Sequence, residues 1–187
     1  MIYIIRHGQT DLNAQGRTQG RTGLPLNNTG IEQTTEIHEQ LKNIKFDFVF
    51  SSPQERAIQT AFIATNIEPI VESRIDVFDL GTADNLKKTE IKMNGLLPDT
   101  TIYSGVENPK DYVKRIFAFM KDNESKFKDN SLNILISGHK DTTGCMRAFF
   151  EGMSNDGNFM RFALSNGKTV SYFFNEHTKS FVLKKLF

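Results

Sequence analysis

Met1-Ile2-Tyr3-Ile4-Ile5-Arg6-His7-Gly8-Gln9-Thr10 is the stretch from which the fold is read. Ile2 to Ile5 form an apolar run of β-branched and aromatic side chains, the composition of a short buried strand. The run ends at Arg6 and His7, and Gly8 breaks it. Open α/β sheets place their ligands beyond the carboxyl ends of the strands. A hydrophobic strand that delivers a guanidinium and an imidazole to that end predicts an α/β fold with a reacting group at the strand tip.

Leu132-Asn133-Ile134-Leu135-Ile136-Ser137-Gly138-His139 repeats the design: a β-branched run, two small residues, then a histidine. Phe46-Asp47-Phe48-Val49-Phe50 alternates and runs into Ser51-Ser52-Pro53. This reads as a strand followed by a helix with proline in its first turn. Arg56 sits one turn into that helix. A helix amino end carries free N–H donors and partial positive charge, which suits phosphate. A guanidinium adds a planar fork that holds two phosphate oxygens. The polar stretch from Asp11 to Asn28, with Gly16, Gly20 and Gly23, can bring backbone N–H groups close to an anion.

The remaining elements alternate with these. Thr29 is placed to cap a helix reaching about Ile44, with Ile31, Ile37 and Leu41 at helical spacing. His38 inside it reads as a surface or satisfied histidine. Pro69 to Glu72 reads as a short strand, and Pro109 to Phe127 as a helix with an apolar stripe at Tyr112, Ile116 and Met120. Thr142 to Glu151 reads as the helix after the second histidine. Thr169–Phe174 and Ser180–Leu183 read as a hairpin, with His177 in its solvent-facing turn.

At 187 residues the chain fits one domain, residues 1–187, with one full-sized core. A net charge of +1 gives no reason to expect nucleic acid or an anionic membrane surface. The lone cysteine, Cys145, excludes an internal disulfide, fits a reducing, cytoplasmic setting, and reads as a buried small hydrophobe. The apolar run after Met1 is too short for a signal peptide, and nothing approaches the roughly 20 apolar residues of a membrane span. No Cys/His cluster has metal-ligand spacing, so no metal or other cofactor is implied. Oligomeric state is not legible.

Three motifs carry a resemblance. Arg6-His7-Gly8-Gln9-Thr10 with Asn13, Ser51-Ser52-Pro53-Gln54-Glu55-Arg56-Ala57-Ile58-Gln59-Thr60-Ala61, and Ser137-Gly138-His139 together resemble the histidine phosphatase (phosphoglycerate mutase-like) superfamily. The resemblance implies a three-layer α/β/α sandwich with a mostly parallel central sheet. It implies His7 as the phospho-accepting nucleophile, with Arg6, Arg56 and His139 around the phosphoryl group and Asn13 binding substrate. The chain departs from the family pattern in two places, the lesser at Lys140 and Asp141, where the family often has small residues. Aligned without gaps, Val77 falls where the proton-donating glutamate is expected, and Asp84 where a later glutamate is expected. Asp84 is therefore ranked first as general acid, followed by Asp76 and Asp79, then Asp141.

Three functions fit these residues. The first is a phosphatase that hydrolyses a small phosphorylated metabolite. The second is a phosphate-binding module of weak or absent catalysis, motivated by Val77. The third is a phosphoglycerate mutase, disfavoured because the chain is compact and lacks extra segments around a pocket.

Overall fold

A computed structural model describes residues 1–95 and 97–184. In chain order the elements are β1 (Ile2–Arg6), α1 (Asp11–Ala14), α2 (Asn28–Leu41), β2 (Phe48–Ser51), α3 (Glu55–Thr65), β3 (Ile70–Val71), β4 (Met93–Asn94), β5 (Leu97–Pro98), α4 (Pro109–Asp122), α5 (Glu124–Lys128), β6 (Ile134–Gly138), α6 (Lys140–Glu151), β7 (Thr169–Asn175) and β8 (Ser180–Lys184). The main sheet runs β3-β2-β6-β1-β7-β8, and β4 and β5 form a separate two-stranded ribbon. Neighbours from β3 to β1 are parallel, while β7 and β8 add antiparallel. The mostly parallel sheet expected from the sequence is thus present, closed on one side by the expected hairpin.

Side-chain alternation in β1 sorts the two helical layers. Ile2 and Ile4 face a core with Ile116, Phe119 and Met120 of α4 and Cys145 and Met146 of α6. Tyr3 and Ile5 face the other way, onto Ile37 and Leu41 of α2 and Ala61 and Ala64 of α3. Both faces of the strand are dry, so a near-continuous apolar run is what this position requires. Each fully buried aliphatic side chain contributes about 1.5–3 kcal/mol. Cys145 lies in the first of these cores, and burial pushes its thiol up to about 12.

Several boundaries differ from the sequence reading. Helix α2 is capped by Asn27, whose side-chain oxygen accepts the Gly30 N–H, rather than by Thr29. The expected 109–127 helix breaks at Asn123, whose side chain bonds back to the Phe119 carbonyl, giving α4 and α5. The loop after β1 contains a helical turn, α1, closed by a capping box between Thr10 and Asn13. Helix α3 starts at Glu55, so Arg56 is its second residue rather than one turn in. His38 bonds the Ala64 carbonyl and His177 lies in the exposed turn, as expected.

The register of the central strands positions the site. Arg6 is opposite Gly138 in the β1–β6 pair, and Ser51 is opposite Ser137 in the β2–β6 pair. The carboxyl ends of β1, β6 and β2 therefore lie side by side, and the residues that follow them, His7, His139 and Ser52, converge.

Candidate active site

His7 and His139 meet at the strand tips with ring centroids 5.1 Å apart and planes at 61°. Both are nearly inaccessible, at 3% and 2% exposure. Three bonds fix the main chain at His7. Its N–H donates to the Gly138 carbonyl, and its carbonyl accepts from Gly167 N–H and the Asn166 side chain. Its Nδ1 is 2.7 Å from the Gly8 carbonyl, so that nitrogen holds the proton and Nε2 keeps its lone pair. Burial, then the Arg56 and Arg6 charges, hold the imidazole well below its usual pKa, which keeps it neutral at pH 7.

His139 is oriented by a chain that sequence reasoning missed. Its Nε2 lies 2.8 Å from Ser52 Oγ, and that hydroxyl donates to Asp76 Oδ1 at 3.2 Å. With Nε2 turned to the serine, the buried Nδ1 has no partner. Burial first, then Arg56, His7 and Arg6, hold His139 well below its usual pKa. Ser52 lies within a quoted motif, but nothing in its spacing pairs it with an aspartate 24 residues on.

Arg56 is fully buried, with Nη2 donating to the Gly20 carbonyl and Nε and Nη1 unpartnered. Arg6 donates Nη1 to the Leu164 carbonyl, and its buried Nε is also unpartnered. Neither guanidinium forms an ion pair among the described residues. Burial lowers each to about 10, so both stay charged at neutral pH. A buried cation without a counter-charge is strongly unfavourable. Four buried nitrogens of Arg6, Arg56 and His139 have no hydrogen-bond partner among the described residues. Asn13 lines a cavity that Arg6 and His139 also border. Its side-chain oxygen accepts from Asn166 and Thr10 N–H, leaving its amide NH2 to donate.

The cavity holds about 380 Å³ and is bordered by Arg6, His7, Asn13 and His139 at its polar end. The four candidate acids divide. Asp84 does not border the cavity. Its oxygens accept from Gly20 N–H, Thr22 N–H, Thr22 Oγ and Asn85 N–H, so it pins the loop that carries the Gly20 carbonyl. Asp79 pairs with Arg21 and caps Gly81 N–H. Asp76 is held by Ser52, Gln54, Val77 N–H and Arg21. Only Asp141, the second residue of α6, borders the cavity. Its Oδ2 accepts Phe78 N–H, and burial pushes its carboxyl up despite that bond. Asp84, ranked first from the alignment, thus lies outside the cavity lining, which an alignment without distances could not show. Val77 does border the cavity, as an apolar wall. Among the described residues no group of three His, Cys, Asp or Glu side chains is arranged to hold a metal ion.

Fold and site together define a phosphoanion-binding α/β protein centred on paired histidines. The sequence profile of the histidine phosphatase superfamily (branch 1) matches residues 2–186, and the chain belongs to that family. It is similar to a Bacillus subtilis protein named as the uncharacterized phosphatase PhoE, 32% identical over 142 residues, 73% of this chain and 71% of that one. It is also similar to the adenosylcobalamin/alpha-ribazole phosphatase of Escherichia coli, 42% identical over 60 residues, 32% of this chain and 30% of that one. The solved alpha-ribazole phosphatase of Shigella flexneri has the same fold, with TM-score 0.79 at 23% identity over 99% of this chain and 95% of that chain.

Proposed function

We propose that the protein is a phosphatase that hydrolyses a small phosphate monoester through a phosphohistidine on His7. The observation that carries this is the set of buried, unpartnered nitrogens on Arg6, Arg56 and His139, residues whose charges or ring lie close to His7. Family membership and relatives named as phosphatases support the reaction class.

In this reading a phosphate dianion enters the polar end of the cavity. Arg6 and Arg56 take its equatorial oxygens, and Asn13 donates its amide. The incoming negative charge offsets the two guanidiniums that depress the imidazoles. His139 then takes up a proton from solvent on Nδ1 and, as imidazolium, hydrogen-bonds a phosphoryl oxygen through it. Ser52 and Asp76 hold the opposite edge of its ring. Nε2 of His7 attacks phosphorus in line with the leaving oxygen, forming the N–P bond as the P–O bond breaks. Asp141, whose carboxyl burial pushes up, gives its proton to the departing alkoxide. The same carboxylate then takes a proton from the water that attacks the phosphohistidine, which returns free His7 and inorganic phosphate.

Arginines, the imidazolium and an amide surround the phosphoryl group, so the reaction needs no added metal ion. We read residues 1–187 as one catalytic unit. The free, buried Cys145 thiol supports a cytoplasmic site of action. No helix among the described residues is long and apolar enough to cross a membrane. The test is hydrolysis of 4-nitrophenyl phosphate by purified protein in the presence of a chelator. Turnover that His7→Ala abolishes is expected. Binding of phosphate without turnover would support the non-catalytic module instead.

A further inference from the structure

We propose that the site selects monoesters of apolar, ring-bearing alcohols over those of small hydrophilic ones. This deepens the phosphatase reading and rests on it.

The phosphoryl group occupies one end of the cavity of about 380 Å³, a volume in the usual range of small-molecule sites. The leaving group must fill the rest. That portion is walled by Phe78, Leu80, Ile91, Met93, Leu97 and Phe159. The wall is pre-formed on its aromatic side. Tyr112, fully buried, meets Phe78 edge-on at 5.1 Å and stacks on Phe159 at 6.0 Å, so one ring holds two wall residues in place. The other side is the β4–β5 ribbon, where Met93 is 51% exposed next to the cavity. A ring lying on Met93 and Leu97 would cover apolar surface that is otherwise wet.

The uncharged polar side chains that also border the cavity are engaged elsewhere: Thr18 with Ala83 and Leu86, Gln19 with Thr10 and Leu24, and the Asn158 side-chain oxygen with Met160 N–H. The Val77 N–H is taken by Asp76 and the Phe78 N–H by Asp141. A hydroxylated leaving group would give up hydrogen bonds to water without replacement, which costs more than a lost apolar contact. Arg17, Lys88 and Lys140 also border the cavity, so the substrates compared are both esters of uncharged alcohols.

The test compares benzyl phosphate with glycerol 1-phosphate. Both leave as alkoxides, so their difference reports the wall rather than leaving-group ability. A kcat/KM ratio of about 30-fold or more in favour of benzyl phosphate is expected, expressed mainly in KM, with 2-naphthylmethyl phosphate at least as good. In the Met93→Ser/Leu97→Ser variant, checked for folding by its melting temperature, the ratio should fall at least about fivefold. A ratio within about threefold of unity, with 4-nitrophenyl phosphate still hydrolysed, would overturn the selectivity and leave the phosphatase reading intact. Failure to hydrolyse even 4-nitrophenyl phosphate would overturn that reading and the selectivity with it.

Discussion

One hydrogen bond, from His7 Nδ1 to the Gly8 carbonyl, decides which nitrogen of the ring can attack. The two histidines and two arginines gathered at the strand tips were legible because each ends a strand or opens a helix in a recognisable motif. The proposed proton donor was not, because four aspartates compete and only three-dimensional distance separates them. Asp141 touches the cavity and Asp84 does not. Asp141→Asn should therefore lower kcat/KM, which reports only phosphoryl transfer to His7, by about 10²–10⁴ for benzyl phosphate, while kcat/KM for 4-nitrophenyl phosphate, whose leaving group needs no proton, should lose less than about tenfold. Asp84→Asn should spare that difference between substrates and instead loosen the loop at Gly20. The direction of the Asp141 shift adds a pH signature. Burial raises its pKa, and only the protonated form donates, so kcat/KM for the alkyl ester should fall as pH rises through that raised value. This limb should be absent with 4-nitrophenyl phosphate and in Asp141→Asn, as a pH–rate series would show.

Elements matter through how closely they approach. A Cβ on Gly30, in the first turn of α2, would lie 2.1 Å from the Gln9 carbonyl oxygen, and one on Gly8 would lie 2.4 Å from the Gly30 oxygen. The turn after His7 and the start of α2 are therefore packed backbone to backbone. Gly30→Ala should destabilise by about 1–3 kcal/mol in denaturant titrations and lower kcat, because relief of the clash displaces Gly8 and with it His7. Arg56 makes the complementary case on α3. A fully buried guanidinium with two unpartnered nitrogens lowers stability until an anion arrives. Arg56→Met should match or exceed the wild-type melting temperature in phosphate-free buffer, yet lose the rise that orthophosphate gives the wild type. Helix existence was readable from apolar spacing, whereas helix ends were not. Asn27 and Thr29 are both competent caps, and only the path of the chain out of the preceding loop chooses between them.

At the scale of the whole molecule, the order β3-β2-β6-β1-β7-β8 could not be read from the sequence. It depends on pairing β1 with a strand that begins 132 residues later, at Ile134. The alternation of strands with helices, and the run at Ile2–Ile5 that suits burial on both faces, were readable and fixed the layered architecture. That architecture brings two histidines and two arginines into one dry place, with a consequence for stability. Both imidazoles have folded-state pKa values well below their ordinary value near 6.5. As pH falls below about 6.5 the unfolded chain binds protons that the folded chain refuses, so stability falls. The melting temperature should decline through this range without phosphate, and the decline should be shallower in His7→Asn/His139→Asn.

The central claim is the covalent bond between His7 and phosphorus. The direct measurement is peptide mapping by mass spectrometry of protein quenched in base during turnover of 4-nitrophenyl phosphate, conditions that preserve phosphohistidine. One phosphoryl group on the peptide carrying His7, acid-labile and absent from His7→Ala, is the predicted result. A phosphoryl group on any other residue, or undiminished turnover by His7→Ala, would contradict it.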